Sequence, residues 1–91
     1  CLRPLAAIAA DFGLSEQVFR KRFAERVGIP PARWRQRRRI ERAKHLLLTG
    51  DDPLATIADR LGWCDQFFFA RQFKQATGQA PGAFRRAFRG R

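Results

Sequence analysis

The sequence predicts an all-α fold, two helix-turn-helix units joined by one long linker helix. Three observations predict it. The chain repeats its own pattern about fifty residues on, its apolar residues recur at three- and four-residue spacing, and no segment alternates apolar and polar residues as a strand would. Leu5-Ala6-x-Ile8-Ala9 returns as Leu54-Ala55-x-Ile57-Ala58, and Gly13 returns as Gly62. After one inserted residue, Phe19, Phe23, Gly28, Pro31, Trp34 and Arg35 return as Phe69, Phe73, Gly78, Pro81, Phe84 and Arg85. Ordered matches with a single slip mark two copies of one supersecondary unit.

In the first copy, residues 1–30, Leu5, Ile8, Ala9 and Phe12 share one helix face. Gly13 ends that helix, since glycine accepts the left-handed conformation a helix stop requires. Ser15 is the N-cap of the next helix, and Glu16 in its first turn complements the macrodipole. Val18, Phe19, Phe23 and Val27 are expected to line its buried face, with Gly28 as the stop. Pro30 bars continuation and Pro31 suits a new helix start. The linker helix, residues 31–49, carries an apolar stripe of Ile40, Ala43 and Leu47 flanked by Leu46, and is about 27 Å long. Gly50-Asp51-Asp52-Pro53 is the turn that ends it. In residues 50–91, Ala58 and Gly62 repeat the small pair Ala9 and Gly13 that lets two helices cross closely. Asp65 caps the following helix, Phe69 and Phe73 form its core face, Gly78 stops it, and a C-terminal helix follows. Of the three adjacent phenylalanines, Phe69 is core and Phe68 partly so, while Phe67 either packs or stands in solvent.

Apolar residues make up 45% of the chain, with nine Phe and two Trp, which suffices for a small core. Nineteen Lys and Arg against eight Asp and Glu leave a formal charge of +11, and such self-repulsion points to a polyanionic partner. Arg dominates over Lys; its planar fork grips phosphate or a guanine edge with two bonds, although a genome rich in G and C also raises Arg. The two Cys supply neither a disulfide framework nor a zinc site, so no metal or cofactor is expected and a reducing, cytoplasmic setting is. Cys64 reads as a passive small residue. No apolar run is long enough for a membrane span, and no paired acid–base constellation suggests an enzyme. Opening on Cys1 rather than Met, the chain reads as a fragment of a longer protein with a separate N-terminal domain.

In a helix-turn-helix unit the second helix enters the DNA major groove. Removing the core positions leaves Gln17, Arg20 and Lys21 as base-reading candidates in the first copy, Gln suited to adenine and Arg or Lys to guanine. Their counterparts are Gln66, Phe67, Ala70 and Arg71, where Phe67 and Ala70 suit a thymine methyl, so the second copy is expected to read less polar sequence. Ser15, Arg37, Arg38, Lys74 and Arg85 are expected on phosphates, positioning the module without specifying sequence. The plainer alternative for each is the solvated face any surface helix needs. Arg33, Arg35, Arg39, Arg42 and Lys44 add to the linker's charge, roughly half of which is expected to be solvated. The tail from Arg85 either frays or touches backbone. A linker of this length is expected to set the two reading helices about one DNA turn, roughly 34 Å, apart. The function expected is sequence-specific binding of double-stranded DNA by a bacterial transcription regulator. The alternative is a basic helical module binding RNA or anionic membranes without sequence preference. RNA modules usually display aromatics on a sheet, however, and membrane-surface helices are continuously amphipathic, without capped turns every dozen residues.

Several runs carry a resemblance: Arg39-Ile40-x-x-Ala43-x-x-Leu46-Leu47, Ile57-Ala58-x-x-x-Gly62-Trp63-x-Asp65-Gln66-x-Phe68-Phe69-x-Arg71-x-Phe73-Lys74, Gly78-x-x-Pro81 and Phe84-Arg85. In these the chain resembles the AraC/XylS family of bacterial transcription activators over almost its whole length. The resemblance implies two homeodomain-like lobes on a long helix, binding DNA asymmetrically in adjacent major grooves and contacting RNA polymerase at the nucleoid. It also implies an N-terminal domain that senses a ligand or dimerises the protein. Three features depart from the pattern. Trp63 replaces a more usual Phe, and Arg35 stands where the family tends to be aliphatic. The family's further helix before Leu5 has little room here, so Ile8 and Phe12 are expected to be partly exposed.

Overall fold

The computed structural model describes residues 3–89, which contain six helices and no strand. The helices are α1 (Leu5–Asp11), α2 (Glu16–Val27), α3 (Pro31–Thr49), α4 (Leu54–Arg60), α5 (Gln66–Thr77) and α6 (Pro81–Arg89). The described residues up to Arg38 form one compact unit and those from Arg39 a second, so α3 contributes to both.

The repeat in sequence is a repeat in backbone geometry. Gly13 and Gly62 have φ of 70° and 89°, the left-handed region that favours glycine. Around Gly13, its own N–H donates to the Ala10 carbonyl at 2.9 Å and Leu14 N–H reaches back to Ala9 at 3.0 Å. Around Gly62 the same pair joins Gly62 to Asp59 at 3.2 Å and Trp63 to Ala58 at 2.9 Å. Both are Schellman stops, which satisfy carbonyls the helix end leaves without partners. The next helices begin alike. The Ser15 hydroxyl accepts from Val18 N–H at 3.2 Å, and the Asp65 carboxylate accepts from Phe68 N–H at 2.8 Å.

The second unit has a closed core. Ile40, Ala43 and Leu47 of α3 cover Ile57 and Ala58 of α4, Trp63 of the turn after it, Phe69 and Phe73 of α5, and Phe84 of α6, all buried. Phe69 packs against Trp63 at 4.7 Å between ring centroids and against Phe73 at 5.8 Å, and Phe73 meets Phe84 edge-on at 5.3 Å. Edge-on and tilted contacts set the positive rim of one ring against the negative face of another.

In the first unit Leu5 and Ala9 are buried but α2 buries no residue fully. Phe19 and Phe23, the partners in sequence of Phe69 and Phe73, are half-buried. Val18 and Val27, expected on the inner face, are exposed. Two α-helices alone cannot enclose a 12-residue helix whose apolar stripe is this wide. Phe12 is 69% exposed and Ile8 is half-buried, the partial exposure expected of both. The aromatic residues stack instead as a row, Phe12 on Phe19 at 6.0 Å, Phe19 beside Phe23 at 5.9 Å, and Phe23 edge-on to Trp34 at 5.5 Å. Beside the row lies an open groove of about 500 Å³.

Candidate nucleic-acid interface

The first-unit candidates sit at the start of α2, the helix entered through the Ser15 cap. Gln17, Arg20 and Lys21 are all exposed. Spacings of three and four residues place Gln17 beside both Arg20 and Lys21 on one face. Arg20 is held in place: its Nη2 meets Glu16 Oε1 at 2.6 Å one turn back. In α5, Phe67 is 66% exposed, which decides between the two sequence readings in favour of solvent. Arg71 is exposed, whereas Gln66 and Ala70 are half-buried. The Arg71 guanidinium lies 5.6 Å from the centroid of the Phe68 ring. A cation over an aromatic face is attracted by the ring's quadrupole, so Arg71 too is oriented before any ligand arrives. One unit orients its arginine by a carboxylate and the other by a ring.

The phosphate candidates divide. Arg37 and Lys74 are exposed. Arg38 is exposed, with its guanidinium 5.1 Å from the centroid of the Trp34 ring. Ser15 spends an oxygen lone pair on its cap and keeps an O–H to donate. Arg85 is different. Its Nε donates to the Leu47 carbonyl at 3.2 Å and its Nη2 lies 3.5 Å from the Gly50 carbonyl. It is half-buried and donates to carbonyls at the C-terminal end of α3, a helix-capping contact additional to the phosphate contact expected of it.

Four features escaped the sequence reading. The tail does not fray over its described residues: α6 runs to Arg89, which donates from Nη1 to the Gly50 carbonyl at 2.6 Å and pairs through Nη2 with Asp51 at 2.7 Å. The signal was present, since a helix end with open carbonyls calls for cationic donors. Arg39 is half-buried with its guanidinium 4.2 Å over the Trp63 ring, an internal contact rather than one of the linker's solvated charges. Arg35, the departure from the family pattern, donates from Nη1 to the Arg3 carbonyl at 2.9 Å. Cys64, expected as a passive small residue, is not a free thiol. No helix among the described residues is long and apolar enough to cross a membrane.

A model of the helix-turn-helix domain family matches residues 8–87. Among curated proteins, the arabinose operon regulatory protein of Salmonella typhimurium is 38% identical over 81 residues, covering 89% of this chain and 29% of that protein. The transcriptional activator RhaS of Pectobacterium atrosepticum is 32% identical over 78 residues, covering 86% of this chain and 28% of that protein. The chain thus spans less than a third of the length of the curated relatives it matches. Among solved structures, the DNA-binding domain of the transcriptional factor AdpA in complex with a target DNA superposes with a TM-score of 0.91 at 28% identity, covering 98% of this chain and 80% of that one. The C-terminal domain of the response regulator yesN from Fusobacterium nucleatum gives 0.88 at 29% identity, covering 91% and 81%.

Proposed function

Because this chain belongs to the AraC-type helix-turn-helix family, we propose that it is the DNA-binding module of a bacterial transcription regulator. The carrying observation is the likeness to a DNA-complexed relative over 98% of the chain, joined to a net charge of +11. In this reading α2 and α5 each enter a major groove, the two grooves being adjacent on the duplex. Gln17, Arg20 and Lys21 read one half of the site with hydrogen bonds. Gln66, Phe67, Ala70 and Arg71 read the other with a larger share of methyl contacts. Ser15, Arg37, Arg38 and Lys74 anchor phosphates and set the register.

The lobes divide as residues 1–30, the linker 31–49, and 50–91. The module is a binder rather than a catalyst, and it works on the nucleoid in the cytoplasm. Contact with RNA polymerase, and sensing or dimerisation through a separate N-terminal domain, complete the proposal, with family membership as their support.

The test is a binding titration at several salt concentrations. A 20-base-pair duplex selected by the chain from a randomised library is compared with random duplex, single-stranded RNA and anionic vesicles. The selected duplex is expected to win by a thousandfold or more, on the order of the usual ratio of specific to non-specific binding. Affinity that is equal for duplex, RNA and vesicles, with no enriched sequence, overturns the reading.

A further inference from the structure

We infer that Glu16 is a specificity-determining residue, which acts by withholding Arg20 from phosphates. The inference rests on the DNA-binding reading and deepens it. Glu16 opens α2 immediately after the Ser15 cap, and its carboxylate lies on the Arg20 guanidinium at 2.6 Å. Glu16 therefore places a negative charge at the leading end of a helix proposed to approach a polyanion. In a chain of net charge +11 that position lowers affinity for any duplex.

What it gains is selectivity. A free arginine on the leading turn pairs with whatever phosphate it meets, which strengthens binding to every sequence alike. An arginine already paired must trade its carboxylate for something better. A single phosphate oxygen offers one charged partner for another, and brings Glu16 close to the phosphate as it does so. A guanine edge offers two acceptors, O6 and N7, matched to the two parallel N–H bonds of the guanidinium fork. Such an acceptor pair can engage one edge of the fork while Glu16 keeps the other, because the guanidinium has five donors.

The second unit provides an internal contrast. At the positions of Glu16 and Arg20 it has Gln66 and Ala70, which carry no charge. Its outward arginine, Arg71, at the position of Lys21, lies over the Phe68 ring, which orients the cation without neutralising it. Arg71 remains available to phosphate in a way Arg20 is not. The two units therefore differ in how much of their arginine's affinity is reserved for a base.

The experiment uses the 91-residue chain and its Glu16→Gln variant, which keeps the size of the side chain and the Ser15 cap. Both are titrated against the selected 20-base-pair duplex and against random duplex from low to moderate salt. Surface ion pairs of this kind are weak, so random-duplex affinity is expected to rise by about two- to fivefold and the specific-to-random ratio to fall by a similar factor. The slope of log affinity against log salt on random duplex should steepen by about 0.9, one additional phosphate neutralised. Removing one negative charge could raise affinity by itself, so two controls isolate the pair. Glu25→Gln changes the charge of an exposed acid on the same helix and should leave the ratio unchanged. In an Arg20→Ala background, Glu16→Gln should also leave the ratio unchanged. An unaltered ratio in Glu16→Gln, or a full effect of that change without Arg20, overturns the inference alone. Failure of the parent to prefer any duplex overturns the DNA-binding reading and this inference together.

Discussion

Arginine is the commonest charged residue of this chain, and its copies do different work according to what each guanidinium touches. Arg20 and Arg71 are exposed, oriented and unburied, whereas Arg85 is turned toward the end of α3. Substituting Arg20 or Arg71 with Ala should each weaken binding to the cognate duplex by about 1–3 kcal/mol in a gel-shift titration at fixed salt, with the thermal melt unchanged. Arg85→Ala should do the reverse. It deprives carbonyls at the end of α3 of a charged donor, so it should lower stability by about 1–3 kcal/mol, while Arg37→Ala leaves the melt where it was. The phenylalanines separate in the same manner. Phe73 is wholly buried and its replacement by Ala should cost about 3–5 kcal/mol. Phe19, its ring lying between Phe12 and Phe23 at the edge of an open groove, should cost clearly less when cut to Ala. Equal losses at the two positions would contradict the burial difference.

Among the elements, the turns carry the repeat most faithfully, because their geometry depends on neighbouring residues alone. A glycine with positive φ, a six-residue reach-back hydrogen bond and a capping side chain recur in both units. These devices stop one helix and start the next across four residues in the first unit and five in the second, which fixes the crossing of each pair. Asp65→Ala removes the acceptor for Phe68 N–H at 2.8 Å and should destabilise the chain by about 1 kcal/mol, read as a shifted chemical denaturation midpoint. Asp65→Asn, which can still accept that bond, should recover most of the loss. The caps are legible in sequence for the same local reason. What α6 does is not local, since Arg85 and Arg89 reach carbonyls 38 and 39 residues away.

At the scale of the whole molecule, two units share a repeated pattern but not an equal core. The second encloses Ile57, Phe69 and Phe73 beneath the Ile40, Ala43 and Leu47 stripe, and the first leaves its aromatic row partly open. Buried apolar area sets local stability, so hydrogen exchange should be slowest in α5 and the second half of α3 and faster throughout α2. Uniform protection across α2 and α5 would mean that the half-exposed row stabilises its helix by some other means. The excess positive charge acts at this scale too. It pulls the module toward any polyanion, and the few acids on its helices decide how far that pull is tempered.

The amino-acid order alone determined the helices, their stops and caps, the duplication, and the outward placement of Gln17, Arg20, Lys21 and Arg71. All of these follow from spacing and from contacts within a few residues. Tertiary structure decided the rest: that Val18 and Val27 lie in solvent, that Arg85 and Arg39 turn inward, and that Phe67 does not. Periodicity identifies which side of a helix is apolar, but whether anything covers that side depends on elements distant in sequence. The same holds for a long cation, whose reach extends to a carbonyl, a ring or a carboxylate that only folding brings near.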